Sequence, residues 1–382
     1  MTDRPLRILD VATLVSPDGA YGGPVRVAVN QCAALRKAGH TAEVTAGVRG
    51  FLTPPSAVSG VPAHLFAARN VLPGKGFAGM TAPGMLRWFV RHHRDYDVVH
   101  VHLARDLVTL PIARLSMALG SPTVVQPHGM IDPSANTLAR SLDAALTRPT
   151  LRRAARVWFL TARERDDLRV VGGPSVRLEH LRNGTPVDNE PPVRQRTEQP
   201  DVLFLARLHP RKHAVAFVES AIDLLREGAR ATFSLVGPDE GDGRRVRQLI
   251  TSSGFAERLR WEGALDPDRT RERMSRSAIY VLPSVDEPYP MSVLEAMSMS
   301  MPVVITHSCG LAPMVARSES GIVTDPGTDE LTDAIRRLID DQSLREQLGD
   351  NAFRTVITEL SMDAVADQLE NAYRVAIAAA RT

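Results

Sequence analysis

The chain has 382 residues, 43% of them hydrophobic, which is ample for two cores and fits about two domains at roughly 150 residues each. Lys and Arg number 46 against 44 Asp and Glu, and no aromatic or zinc module accompanies the charge, which argues against a nucleic-acid binder. Only Cys32 and Cys309 are present, too few for a disulfide framework or a zinc site.

An apolar run from Ile8 to Val15 predicts an opening strand. It leads into Gly19-Ala20-Tyr21-Gly22-Gly23-Pro24 and a helix from about Val25 to Ala38. Glycines there let the backbone approach a phosphate closely, and a helix N-terminus favours negative charge. The same glycines also fit a merely tight connection. The absence of G-x-G-x-x-G argues against a dinucleotide enzyme. Further on, Asp97-Val98-Val99-His100-Val101-His102 puts both histidines on one face of a strand. No third ligand of suitable spacing accompanies them, so the pair reads as structural or acceptor-side rather than metal-binding. His102, nearer the strand end, is the one expected to touch a ligand. The segment Thr123-Val124-Val125-Gln126-Pro127-His128-Gly129 reads as a buried strand that ends in a histidine, at the edge where open α/β sheets gather their sites.

After Asn183-Gly184, the stretch Pro186 to Pro200 is rich in proline and charge and reads as a linker. Beyond it, strands are predicted at Val202 to Leu205, Thr232 to Val236, Leu259 to Trp261, Ile279 to Leu282, Pro302 to Thr306 and Gly321 to Val323, separated by helix-like stretches. That alternation implies an α/β fold with parallel sheets covered on both faces. The first of these strands ends in two cations, Arg207 and Lys212, just before a helical pattern opens at Ala214. Two glutamates eight residues apart follow later. Glu287 lies in a Pro-rich loop after the strand Ile279 to Leu282, and Glu295 lies one turn into a helix. A carboxylate can accept two hydroxyl hydrogen bonds at once, which suits a sugar and a ribose. Ser292-Val293-Leu294-Glu295 also matches a capping box, and the residues alone leave both readings open. The amphipathic stretch Met362 to Ala379 predicts a closing helix.

Taken together these segments resemble the retaining family-4 glycosyltransferases (glycosyl transferases group 1), over nearly the whole chain. The resemblance implies a GT-B fold, two Rossmann-like α/β/α domains whose parallel sheets face across an interdomain cleft. The first, residues 1–185, would bind the acceptor. A linker at 186–200 leads to the nucleotide-sugar domain at 201–360, and a helix at 361–382 returns toward the first domain. The implied reaction moves a hexosyl group from a nucleoside diphosphate-sugar to a hydroxyl acceptor, with retention and with no metal or other cofactor. Catalytic roles fall to Glu287, His128, Arg207 and Lys212. Arg207 and Lys212 would hold the diphosphate, aided by Gly22, Gly23 and the start of the helix carrying Glu295, namely Met291, Ser292, Val293 and Leu294. Glu287 would lie near the donor sugar, Glu295 on the ribose, and His128 would reach the sugar from the first domain. Tyr21 and His102 are assigned to the acceptor side.

Two positions depart from the family pattern. Its glycines after the first glutamate are replaced by Pro288-Tyr289-Pro290, and proline has no amide to donate to a sugar hydroxyl. Ala206 replaces the glycine before Arg207.

The charge is unevenly spread. Residues 1–185 hold 23 Lys and Arg against 13 Asp and Glu, whereas the remainder holds 23 against 31. A basic first half suits an anionic acceptor or a lipid surface. Arg87, Arg91 and Arg94 form one cluster and Arg148, Arg152, Arg153 and Arg156 a second; a solvated basic face is the plainer reading of both. No run of 18 apolar residues exists and Met1 to Arg7 lack a signal-like region, so a cytoplasmic enzyme is expected, peripheral on the inner face of the membrane where it meets lipid. The expected setting is cell-surface polysaccharide or glycolipid synthesis, with a saccharide, lipid-linked or small-molecule acceptor. The alternatives are a natural-product glycosyltransferase, a GT-B sugar-nucleotide epimerase, or a non-catalytic nucleotide-sugar-binding protein.

Overall fold

A computed structural model describes residues 4–17, 22–71, 76–187, 190, 199–266 and 269–380. The chain divides into two compact units, residues 1–184 with 362–382, and residues 185–361.

The first unit holds β1 (Arg7–Val15), β2 (Thr41–Val48), β3 (Ala57–Val58), β4 (Val61–Ala67), β5 (Arg69–Asn70), β6 (Met80–Thr81), β7 (Val98–His102), β8 (Thr123–Gln126), β9 (Arg156–Phe159) and β10 (Leu178–His180). Eight of these form one sheet in the order β10-β9-β8-β7-β1-β2-β4-β3, parallel except where β3 meets β4. Strands β5 and β6 pair separately as an antiparallel ribbon. Both faces of the sheet are covered, which is why its strands are nearly continuous in β-branched and apolar residues. Ile8, Val44, Val98 and Val124 face a core that includes Ala28, Cys32 and Leu35 of the helix Gly22–Lys37 and Val365, Leu369 and Tyr373 of the helix Met362–Ala380. Leu9, Val11, Val99 and Val101 point to the other face, against Met85 and Phe89 of the helix Pro83–His92 and Ile112 of the helix Thr109–Ala118. The closing helix is therefore part of the first unit's core.

The second unit holds β11 (Asp201–Leu205), β12 (Thr232–Val236), β13 (Leu259–Trp261), β14 (Ile279–Leu282), β15 (Val303–Thr306) and β16 (Gly321–Thr324). They form an all-parallel sheet in the order β13-β12-β11-β14-β15-β16. In each unit the strand order reverses once, between β1 and β7 and between β11 and β14. Connections leave such a switch point toward opposite faces, opening a crevice at the carboxyl ends of the two strands.

Thr185 bridges to Ser361, so both strands of chain that enter and leave the second unit are tied to each other. Of the predicted linker 186–200, residues 188–189 and 191–198 lie outside the described residues.

Candidate active site

In the second unit, β11 ends at Leu205 and hands over to Ala206 and Arg207. Gly237, immediately after β12, is what allows this exit. A Cβ there would stand 1.9 Å from the Ala206 carbonyl oxygen, and its φ of +150° is one that L side chains rarely adopt. Gly237→Ala is expected to destabilise the protein by about 2–4 kcal/mol, because overpacking against backbone and strain add. A shift in the denaturant midpoint equivalent to under about 0.5 kcal/mol would contradict this.

Arg207 extends from that exit and pairs with Glu240 at 2.7 Å. Lys212 ends a short 3₁₀ turn, Pro210–Lys212, and His213 behind it takes a left-handed backbone to start the helix Ala214–Arg226. The Lys212 ammonium reaches Glu287 Oε2 at 2.5 Å, with both side chains mostly buried. Backbone bonds fix this meeting. Val285 N–H donates to the Arg211 carbonyl, the Arg211 guanidinium donates to the Asp286 carbonyl, and Gly310 N–H donates to the Glu287 carbonyl. Residues from the ends of β11 and β14 are thereby fastened across the switch point.

Tyr280, fully buried in β14, ties the same region together. Its hydroxyl is hydrogen-bonded to the Leu205 carbonyl at 3.0 Å and to Ser292 Oγ at 2.7 Å. Burial pushes the Tyr280 hydroxyl well above the usual tyrosine range, and the Glu295 and Glu287 carboxylates push it further in the same direction. Both carboxylates are thus near enough to act on the Tyr280 hydroxyl. Beside it, burial raises the Cys309 thiol to about 12, with Glu287 adding and Lys212 opposing.

The helix Met291–Ser298 starts at Pro290, which offers no side-chain cap. Ser292 is turned to Tyr280 instead, so the capping-box reading of Ser292 and Glu295 does not describe this helix. Glu295 is 8% exposed. Of the four amides expected to face phosphate, that of Val293 donates to the Pro290 carbonyl at 3.1 Å. That corrects the expectation for Val293. Leu294 is fully buried.

In the first unit, Asp10 sits in the middle of β1, directly beside His100 of β7 in the sheet register. Asp10 Oδ1 lies 2.9 Å from His102 Nε2 and 3.2 Å from His100 Nδ1, while Cys32 Sγ–H donates to Oδ2 at 3.2 Å. Tyr373 of the closing helix hydrogen-bonds His100 Nδ1 at 2.9 Å. The other nitrogen of His102, Nδ1, lies 2.7 Å from His128 Nε2, and the two ring planes are within 6° of parallel, as an in-plane hydrogen bond requires. Burial by itself would raise Asp10, but His100 and His102 outweigh it and hold its carboxyl below the usual range. Burial and the neighbouring His100 hold His102 down at about 4, against the pull of Asp10. Burial and the other two histidines keep His128 well below the usual histidine range.

His128 and Gly129 both take left-handed backbones, with φ of 55° and 72°, inside a turn closed by Met130 N–H to the Pro127 carbonyl. A non-glycine residue there is strained, and such strain concentrates at functional sites. The turn is held by Glu164, which accepts from the amides of Gly129 at 2.6 Å and Leu160 at 2.7 Å. Burial raises the Glu164 carboxyl to about 7 despite these amides.

Three expectations change here. His102 is 0% exposed and enclosed between Asp10 and His128, so it cannot touch an acceptor directly. The histidine pair also has a third neighbour that could ligate, since Asp10, His100 and His102 bring ligand atoms within 4.8 Å of one another. Those atoms are engaged in hydrogen bonds to each other, to Tyr373 and to His128. The second arginine cluster is not simply a solvated face: Arg148, Arg152 and Arg156 donate to the carbonyls of Val171, Gly172 and Ala155. Tyr21 lies outside the described residues. Gly22 opens the helix Gly22–Lys37, and a Cβ placed on Gly23 would meet nothing within 4 Å, so the fold itself has no need of a glycine at 23.

The family profile described as "Glycosyl transferases group 1" matches residues 188–355, and that described as "Glycosyl transferase 4-like domain" matches residues 22–184, so that the two cover most of the chain. The chain belongs to the group 1 glycosyltransferases. Among its curated relatives is an alpha-D-kanosaminyltransferase from Streptomyces kanamyceticus, 29% identical over 78% of this chain and 84% of that protein. Another is a D-inositol 3-phosphate glycosyltransferase from Acidothermus cellulolyticus, 28% identical over 75% and 69%. Among solved structures, Anabaena HepE in complex with UDP and glucose matches with a TM-score of 0.75 at 18% identity, covering 96% of this chain and 98% of that one. A sucrose-phosphate synthase from Thermosynechococcus elongatus matches with a TM-score of 0.75 at 19% identity, covering 98% of this chain and 100% of that one. The fold of the transferase is accordingly GT-B. Among its described residues no helix is long and apolar enough to cross a membrane.

Sequence reasoning missed Asp10 and Glu164, which hold His102, His128 and Gly129 in the first unit, and Tyr280, which holds Ser292 in the second. Asp10 left one signal, a carboxylate inside an otherwise apolar strand (Ile8-Leu9-Asp10-Val11-Ala12), where a charge needs a buried partner.

Proposed function

We propose that this glycosyltransferase moves a sugar from a nucleoside diphosphate-sugar to a hydroxyl acceptor, with retention of anomeric configuration and without a metal ion. The observation that carries this reading is the Lys212–Glu287 pair at the switch point of the second sheet, with Arg207 beside it on the exit from β11. Such a crevice is where open α/β sheets take phosphate-bearing ligands, and two cations there can neutralise a leaving diphosphate. In this reading Arg207 and Lys212 bind the diphosphate, the amides of Met291 and Ser292 assist, Glu287 accepts hydrogen bonds from the sugar and Glu295 from the ribose. Gly22 and Gly23 leave room for a phosphate to approach. His128 accepts a hydroxyl of the donor sugar. The nucleotide reading also draws support from the UDP and UDP-glucose bound to Anabaena HepE.

The setting we propose is the assembly of a cell-surface polysaccharide or glycolipid, to which the names of a lipopolysaccharide-core enzyme from Rhizobium meliloti and of WaaG lend support. Arg87, Arg91 and Arg94 are exposed on and just beyond the helix Pro83–His92, next to Val90 at 49% exposure, a surface suited to peripheral contact with anionic lipid. A natural-product acceptor is the second reading, favoured by the likeness to the kanosaminyltransferase.

The test is slow donor hydrolysis or transfer by the purified enzyme in EDTA, followed by NMR of the first-formed sugar. An α-configured donor is expected to give an α product before mutarotation. A β product, or turnover that appears only after metal is restored, would overturn the corresponding part of the reading.

A further inference from the structure

The hydrogen-bond chain from Asp10 through His102 to His128 has a direction that can be worked out atom by atom. The Asp10 carboxylate, held ionised, can only accept, so His102 Nε2 at 2.9 Å carries its proton and donates. A neutral His102 then has a bare Nδ1, which can only accept. His128 Nε2, 2.7 Å away, must therefore be the protonated nitrogen that donates. His128 Nδ1 is left with a lone pair. It makes no hydrogen bond to the described residues and is not among the side-chain atoms sealed from solvent, while His128 itself is half-buried.

We infer that Asp10 and His102 are positioning residues that fix His128 as a neutral imidazole whose Nδ1 presents only a lone pair, so that His128 selects a hydroxyl of the substrate and rejects phosphate or carboxylate. The inference rests on the transferase reading for its substrate, whereas the direction of the chain rests on the hydrogen-bond geometry together with an ionised Asp10 and a neutral His102. A lone pair attracts a group that can donate and repels an anionic oxygen, which can only accept. Four features hold the chain in this one arrangement. Asp10 is also bonded by His100 and Cys32, so it cannot swing away. His100 is fixed in turn by Tyr373. The rings of His102 and His128 are within 6° of parallel and joined edge to edge, so rotating either one breaks their hydrogen bond. The left-handed backbone at 128 and 129, clamped by Glu164, sets where the ring emerges. His128 is in this way kept from serving as a cation.

The experiment is ¹⁵N NMR of the histidine rings in the full-length protein, with His128 and His102 assigned by the loss of signal in His128→Gln and His102→Gln. The expected result is a neutral Nε2–H tautomer at both positions, unchanged from pH 6 to pH 8. A neutral Nδ1–H tautomer of His128, or an imidazolium at pH 7, would overturn the inference. Asp10→Asn supplies a second reading. Its amide can donate to His102 Nε2, which reverses the chain and moves the His128 proton to Nδ1. With any donor the wild type turns over, kcat of Asp10→Asn is expected to fall about tenfold or more with KM for donor nearly unchanged. A variant that loses folded protein yet keeps wild-type kcat per folded molecule would show Asp10 to be merely structural. Should the wild type turn over no nucleotide-sugar while both tautomers are as described, the proposed function fails and the chain of protons stands.

Discussion

Lys212→Ala is expected to lower kcat/KM by about 10²–10³-fold, the scale of losing one preorganised charge at a site where negative charge develops. The reasoning begins with backbone. The turn Pro210–Lys212 is closed by Lys212 N–H to the His209 carbonyl at 2.7 Å, and the neighbouring Val285–Arg211 bond holds it against the loop that carries Glu287. The ammonium therefore needs little reorganisation to face a diphosphate, and Arg207, more exposed and paired with Glu240, cannot stand in for it. Removing Lys212 also strands the Glu287 carboxylate, so some loss of stability accompanies the loss of activity. Thermal melting of Lys212→Ala beside its kinetics separates the two. A variant that stays folded with kcat/KM within about threefold of wild type would remove Lys212 from the machinery.

Glu287→Gln is the complementary case. Its kcat is expected to fall by about 10²-fold, because an amide offers one acceptor where the carboxylate offers two and carries no charge to oppose an oxocarbenium-like centre. Nucleotide affinity should hold or improve. Glu287 pairs with Lys212, so glutamate and diphosphate compete for one ammonium, and neutralising the first relieves that competition. Arg207→Ala is expected to behave in the opposite sense, weakening nucleotide binding. Equal losses of nucleotide affinity in Glu287→Gln and Arg207→Ala, with kcat per folded molecule unchanged, would contradict both assignments.

Much of the second unit was legible in the sequence because parallel strands buried on both faces leave short, dense apolar runs. The strands Thr232–Val236, Leu259–Trp261 and Ile279–Leu282 coincide with those runs, and β11, β15 and β16 differ from them by single residues. Arg207, Lys212 and Glu287 could be picked out because charge immediately after such a run has few structural reasons to be there. The first unit hid more. The two-residue strands Arg69–Asn70 and Met80–Thr81 and the π-helical turn Asp143–Thr147 have no periodicity to read. His102 looked like a ligand residue from its place near a strand end, but its burial depends on His128 and Asp10, which are far from it in sequence and near it only through the sheet register. Asp10 belongs to no motif, and its role follows from which strand lies beside it. Pairing across a sheet is a long-range property that local sequence does not encode.

Calorimetric titration of UDP, GDP, ADP and their common sugar conjugates in EDTA asks whether the second unit binds a nucleoside diphosphate-sugar through Arg207 and Lys212. Saturable binding of one nucleotide is expected, weakened in Arg207→Ala and retained in Glu287→Gln. Binding of none of them to folded wild-type protein, or binding that Arg207→Ala and Lys212→Ala leave unchanged, would contradict it.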